Sequence, residues 1–388
     1  MTPTMLSPVS YSYRVDEFVD SARERAGAPD FEFKHLDALE RLLTSLNETG
    51  ALNAAGVQSV KGALVAALAT QATAEQVREQ FPEIAQVAIT KPVFITGMTR
   101  TGTSLMHNLL GQHPKLRAPE LWELMAPATT RRDPETKLQL VHAAEAFTTN
   151  YYQCAPKLLA VHYWHALRPD EDHRLTAPTF KSMAFELRYN VPGYGEWLKT
   201  QDQYDAYGYH RYLMQHILWR VPTETLVLKD PFHLWRPDAL VSTYPDARLI
   251  YMHRRPGVTI PSTCSLTEII RLSRSDEVNR QALGELWVTR FAEMLELMDD
   301  AGKTYLADTP VFNVNYDQLL ATPVDVLGEI CDFLGLPMDG AAEYAFRSYL
   351  DHNKQTRFGK HEYTAEDYGL NEEDLDNRFA AYRDEYGI

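Results

Sequence analysis

Before Lys91 the apolar positions fall at helical spacing. Leu36, Leu39, Leu42, Leu43 and Leu46 form one stripe closed by Gly50, and Val57, Val60, Leu64 and Leu68 form another. The pattern then changes. Val93, Phe94 and Ile95 make a short apolar run ended by Gly97, as expected of a strand buried on both faces. Leu105, Met106, Leu109 and Leu110 return to helical spacing. Further strands are expected at 225–228, 247–252 and 311–315, with a helix carrying Leu283, Trp287, Phe291, Met294, Leu295 and Met298 between the last two. Strands alternating with helices predict a three-layer α/β/α core around a mostly parallel sheet. The expected division is a helical N-terminal extension at 1–90, the α/β core at 91–340 with an aromatic-rich insertion at about 145–222, and a C-terminal tail at 341–388.

Charge narrows the function. A chain of 388 residues with net charge −15 disfavours a general nucleic-acid or anionic-membrane surface, so an anionic ligand would need a local cationic pocket. Cys154, Cys264 and Cys331 are far apart and lack metal-ligand spacing, which suits a reducing compartment. Neither a signal-peptide pattern nor an apolar run of spanning length is present, and the expectation is a cytoplasmic protein without membrane insertion. A homo-oligomer is left open.

The stretch Gly97-Met98-Thr99-Arg100-Thr101-Gly102-Thr103-Ser104 joins the first strand to a helix. A glycine loop there points backbone N–H groups at one place on the positive end of a helix dipole, which is an anion site. It approaches the P-loop pattern G-x-x-x-x-G-K-[ST], but Thr103 stands at the lysine position, and Arg100 inside the loop is the nearest cation. A triphosphate site needs that lysine. A plain strand–turn–helix is the bland alternative.

Three expected strands end in a cation: Arg100, Lys229 and Arg254. In an open parallel sheet, ligands sit beyond the carboxyl ends of the strands. Arg254 and Ser262 lie eight positions apart across a strand end, a spacing able to clamp one phosphate. The stretch from Arg117 to Glu123 is expected to face the same mouth. Tyr151, Tyr152, Tyr163, Trp164, Tyr189, Trp197, Tyr204, Tyr207, Tyr209 and Trp219 crowd the middle segment, either as packing or as the wall of an apolar acceptor site. In the tail, Lys354, Arg357, Lys360 and His361 form either a cationic cover for an anionic ligand or a solvated loop.

On these residues the chain resembles the sulfotransferases that use 3′-phosphoadenosine 5′-phosphosulfate (PAPS). The loop Thr99-Arg100-Thr101-Gly102-Thr103-Ser104 is similar to the family's 5′-phosphosulfate loop, and Tyr251 through Pro256 to Ser262 is similar to its 3′-phosphate motif. Val314 to Leu319, Pro323 and Cys331 to Leu336 resemble the late strand and helix of that fold. The R-T-G-T-S loop, the R-A-P-x-x-W-E stretch and the K-x-P-x-H stretch resemble its bacterial branch. The resemblance implies sulfuryl transfer from PAPS to a hydroxyl or amine of a small-molecule acceptor, releasing adenosine 3′,5′-bisphosphate without a metal. It places Arg100 in the role of the loop lysine, Thr101, Gly102, Thr103 and Ser104 around the 5′-phosphate, Arg254 and Ser262 on the 3′-phosphate, and Lys229 facing the sulfuryl group. Arg357 and Lys360 would close over the cofactor. Family members have histidine two residues after the lysine. Here that position is Pro231, and the first candidate base is His233, with Glu123 second. A nucleotide-dependent small-molecule kinase and a sulfotransferase scaffold repurposed for binding are the competing readings.

Overall fold

The computed structural model describes residues 11–129, 133–219, 221, 225–353 and 362–388. Five parallel strands form one sheet in the order β2-β3-β1-β4-β5: β1 is Val93–Gly97, β2 Leu116–Arg117, β3 Thr225–Lys229, β4 Arg248–His253 and β5 Val311–Asn315. β1 is central, with Val93 paired to Val227 on one side and to Arg248 on the other. From β1 the chain first builds outward through β2 and β3, then crosses to β4 and β5. The direction of winding thus reverses beside β1, and its carboxyl end is where a crevice is expected.

Side chains alternate across the sheet. Phe94, Leu228, Leu249 and Tyr251 enter one core, and Val93, Ile95, Val227, Ile250 and Met252 enter the other. The second core is closed by α4 (Thr103–Leu110) through Met106 and Leu109, and by the helix Pro323–Leu334 through Leu327 and Ile330. The first core is the larger, and it includes the N-terminal helices. These are α1 (Val15–Ala26), α2 (Leu36–Thr49) and α3 (Ala54–Gln80). Leu39, Leu42, Leu43 and Leu46 of α2 and Val60, Leu64 and Leu68 of α3 are all buried there. The two leucine/valine stripes therefore pack against the same apolar body as the sheet.

α3 starts under tight constraint. The Asn53 side chain caps it by accepting from the Gly56 N–H, 2.9 Å. A Cβ on Gly56 would collide with the Arg274 backbone, and Asn53 N–H donates to the Arg274 carbonyl at 2.9 Å. This contact fixes α3 to the C-terminal end of the helix Pro256–Leu272. Among the described residues no helix is long and apolar enough to cross a membrane.

Candidate active site

The glycine loop leaves β1 and enters α4 with Arg100 and Gly102 both in the left-handed region, φ 71° and 93°. A Cβ on Gly102 would collide with the Tyr316 ring, so close approach and backbone angle both demand glycine. Thr101 ties the turn by donating its hydroxyl to the Met98 carbonyl at 2.7 Å. Thr99 and Thr263 share a hydroxyl hydrogen bond of 2.6 Å, which anchors the loop to the helix that carries Ser262.

The structure brings the loop and the Arg254–Ser262 clamp together. Arg100 Nε donates to Ser262 Oγ at 3.1 Å, and Arg254 Nη1 donates to the Arg100 carbonyl at 3.1 Å. The Arg254 guanidinium lies over the Tyr316 ring, 4.2 Å from its centroid. Among the described residues neither arginine has a carboxylate partner. Burial, with Arg254 nearby, pushes the Arg100 guanidinium below its ordinary value. Two adjacent arginines, neither in ion-pair contact with an acid among the described residues, are suited to an anion in a chain of net charge −15.

Lys229, at the end of β3, is 2% exposed and donates to Ser104 Oγ in the first turn of α4, 3.0 Å. Its ammonium also donates to Glu171 at 2.6 Å. Burial opposes ionisation of Glu171, but Lys229, His173 and His162 outweigh it and hold the carboxyl well below the usual range. His162 moves the other way: burial, with Lys229 and Arg100 close by, pushes its imidazole down to about 4. Arg100 Nη1 meanwhile donates to the carbonyl of Val161, 3.0 Å. The segment 161–173 therefore forms one wall of the site. Of this segment, Tyr163 and Trp164 are legible in the sequence as a possible acceptor wall, whereas Glu171 is not singled out there. The signal available was the run Asp170-Glu171-Asp172-His173-Arg174, unusually dense in charge for a stretch flanked by aromatic residues.

Both candidate bases are engaged by neighbouring side chains or backbone. His233 is buried and lies in a short 3-10 turn, Pro231–Trp235, that turns its ring inward against Phe94, centroids 5.1 Å apart. Its Nδ1 shares a hydrogen bond with the Tyr207 hydroxyl at 2.8 Å, and its Nε2 meets Asp172 Oδ1 at 3.1 Å. Both ring nitrogens are thus engaged away from the loop. Burial works against charge on His233, yet Asp172 outweighs it and raises the imidazole above its ordinary value. Glu123 is likewise occupied. It pairs with Arg117, accepts from the Glu120 N–H at 3.0 Å in a capping box, and lines a separate cavity beside Gly111 and Lys137. Arg357 and Lys360 lie outside the described residues.

Asp172 is the hub beneath the site. It also faces His210 Nε2 at 3.3 Å, and its N–H donates to the Lys229 carbonyl, 3.2 Å. Burial pushes the neighbouring Asp230 carboxyl up to about 6, with Asp172 and Glu171 adding to the rise. Within this cluster the side chains of Glu171, His173 and Asp230, and those of Asp172, Asp230 and His233, come close enough to share an ion, a spacing that follows from the ion pairs themselves. Asp172→Asn is expected to cost about 1–3 kcal/mol of unfolding free energy, measured by denaturant titration, because two buried histidines lose their anion. The pH dependence has a definite sign. His233 has a raised folded-state value, so its contribution is fully present below pH 6.5 and is lost as pH rises through the folded value. Asp172→Asn should remove that alkaline loss.

Comparison with known proteins agrees with this geometry. Residues 92–340 match a family model described as "Sulfotransferase family". The chain is 25% identical over 313 residues to the omega-hydroxy-beta-dihydromenaquinone-9 sulfotransferase Stf3 of Mycobacterium bovis, covering 76% of this chain and 75% of that one; Stf3 of Mycobacterium tuberculosis matches equally. Among solved structures, the sulfotransferase STF1 of Mycobacterium tuberculosis H37Rv aligns with a TM-score of 0.83 at 29% identity, over 95% of this chain and 99% of that one. STF9 of Mycobacterium avium aligns with a TM-score of 0.84 at 24% identity, over 98% and 99%, a likeness of fold.

Proposed function

The chain belongs to the sulfotransferase family, and from that premise we propose that it transfers a sulfuryl group from PAPS to a hydroxyl, or an amine, of a small apolar acceptor. The observation that carries the reading is the pair Arg100 and Arg254, joined by the Arg254 bond to the Arg100 carbonyl, with Arg100 on Ser262 and neither arginine ion-paired to an acid among the described residues. One anion at the loop and a second at the Arg254–Ser262 clamp match the two phosphate ends of adenosine 3′,5′-bisphosphate. A nucleoside triphosphate would instead call for a lysine at Thr103.

When bound, PAPS supplies a sulfuryl group on a stable leaving group. The N–H groups at the start of α4, with the Thr103 and Ser104 hydroxyls, hold the 5′-phosphate. Arg254 and Ser262 hold the 3′-phosphate, and Arg100 locks the two subsites into one frame. Lys229, already at Ser104 Oγ, stabilises the negative charge that builds as the bridging bond breaks. Glu171 is the acceptor's base. It is ionised at neutral pH, and it leaves its lysine as that lysine turns to the donor. The acceptor class draws support from Stf3, whose name gives an omega-hydroxy-beta-dihydromenaquinone-9.

Thermal denaturation with added nucleotide tests the cofactor. Adenosine 3′,5′-bisphosphate at about 100 times its Kd should stabilise the protein by about 2.7 kcal/mol. ATP with Mg²⁺ should do far less. Preferential stabilisation by ATP would sink the proposal.

A further inference from the structure

A cavity of about 650 Å³ lies between α3, the helix α6 (Pro134–Cys154) and the C-terminal end of the helix Pro256–Leu272. One wall is the small-residue face of α3, including Gly62, Ala63, Ala66 and Ala67, and the facing wall includes Phe147, Tyr151 and Trp164. This size and lining suit an apolar small molecule. The charged part of the lining is one-sided. Among the described residues that line it are Arg25, Arg174, Arg188 and Arg274, and no aspartate or glutamate. Such a lining is unexpected in a chain of net charge −15.

The arginines differ in how they are matched. Arg174 pairs with Asp170 at 2.5 Å. Arg274 is 6% exposed; it lies over the Tyr151 ring at 4.7 Å and donates to the Ile270 carbonyl, while its buried Nε has no partner among the described residues. Arg188 has a single hydrogen-bond partner there, His173 Nε2 at 2.8 Å, and that partner is not an acid. Burial and the nearness of Arg174 press the Arg188 guanidinium below its ordinary value. Burial also works against charge on Arg274, but Tyr151 and Tyr189 outweigh it, so the uncompensated cost falls on Arg188, and a bound anion would remove it.

A relay of side-chain contacts links the cavity lining to the transfer site. His173, which accepts from Arg188, places its Nδ1 3.3 Å from Glu171, and Glu171 holds Lys229. Only two side chains separate the cavity's arginine from the lysine at the phosphate loop. Trp164, on the cavity wall, contacts His162 on the other side, ring centroids 4.9 Å apart.

We propose that this cavity is the acceptor site and that it selects an amphiphilic hydroxy acid, with its anionic group on Arg188 and Arg274 and its apolar tail along α3. The proposal rests on the sulfotransferase reading. The acceptor oxygen forms a bond to sulfur as the sulfur–oxygen bond to the 5′-phosphate breaks, and the hydroxyl proton passes to Glu171. The leaving pair stays on the bisphosphate.

Binding and turnover separate the two readings. Without PAPS, tryptophan fluorescence is titrated with β-hydroxypalmitate and with its methyl ester, both below micelle-forming concentration. The acid should bind roughly tenfold tighter or more, since only it offers a charge-assisted hydrogen bond to the guanidinium groups. Arg188→Gln and Arg274→Gln should each erase most of that preference and leave ester binding in place, and Arg188→Lys should restore part of it. Retained stabilisation by adenosine 3′,5′-bisphosphate shows that each variant is folded. Equal affinity for acid and ester in the wild-type protein, or an undiminished preference in both glutamine variants, overturns the acceptor assignment even if PAPS-dependent sulfation of neutral alcohols is found. Selective acid binding without sulfate transfer from PAPS to the bound β-hydroxypalmitate leaves an anion-selective cavity but overturns its assignment as the acceptor site.

Discussion

Glu171→Gln should lower turnover by roughly 10²–10⁴-fold, the usual contribution of a positioned general base, while adenosine 3′,5′-bisphosphate binds as tightly as before or more tightly. The two halves follow from one contact. Glu171 accepts from the Lys229 ammonium at 2.6 Å. Its removal takes away the proton acceptor and also frees the lysine for the donor's anionic end. A merely structural glutamate would weaken binding and turnover together. The pH profile adds a check. Lys229, His173 and His162 hold the carboxyl well below 4.5 despite burial. As pH falls through that low value the base is protonated and activity is lost, so the acid limb of kcat/KM should lie below pH 4.5. In kcat, measured with the lysine turned toward donor, the limb should move upward. A Gln variant within about threefold of wild-type turnover would remove Glu171 from the chemistry.

Why the sequence points to the loop and the Arg254–Ser262 pair but not to Glu171 is a matter of how each is encoded. β1, β3 and β4 are apolar runs with a cation at or just beyond their carboxyl ends, and burial on both faces leaves little else for such runs to be. The loop is readable because two backbone demands require glycine, and the Arg254–Ser262 pair because strand-to-helix spacing is local. β2 contains only Leu116 and Arg117, too short for any periodicity. The run Asp170 to Arg174 reads as a solvated charged face. Its burial depends on long-range contacts: Asp172 reaches two histidines, 38 and 61 positions on, and Glu171 reaches Lys229, 58 positions on. His233 lies away from the loop for a local reason. Its place near Lys229 suggested a base, but the turn from Pro231 rotates the ring toward Phe94 and the Asp172 hub. In α3, small residues at helical spacing say only that something packs closely. That one face is left open beside four arginines becomes visible once α6 and Arg274 are placed against it.

Arg254→Ala should weaken binding of adenosine 3′,5′-bisphosphate by about 2–5 kcal/mol, the range for truncating one side of a desolvated charge pair, or roughly 30- to several-thousand-fold in Kd. Three features make this arginine more than a surface cation. Its Nη1 bond to the Arg100 carbonyl sets its position relative to the loop, the Tyr316 ring holds the guanidinium plane, and no acid among the described residues neutralises it. The same ring fills the space where a side chain on Gly102 would sit. Arg254, Tyr316 and the loop are therefore one packed unit. Truncation at Arg254 removes charge from the clamp and loosens the ring against Gly102, so Arg254→Lys should recover only part of the lost affinity, since an ammonium neither forks nor stacks. Salt supplies the discriminating readout. If Arg254 meets a phosphate directly, the wild-type protein should lose affinity for the bisphosphate more steeply with ionic strength than Arg254→Ala does. Equal salt slopes, with affinity changed less than about threefold, would place the second phosphate away from Arg254 and remove the support that the clamp gives to a bisphosphate ligand.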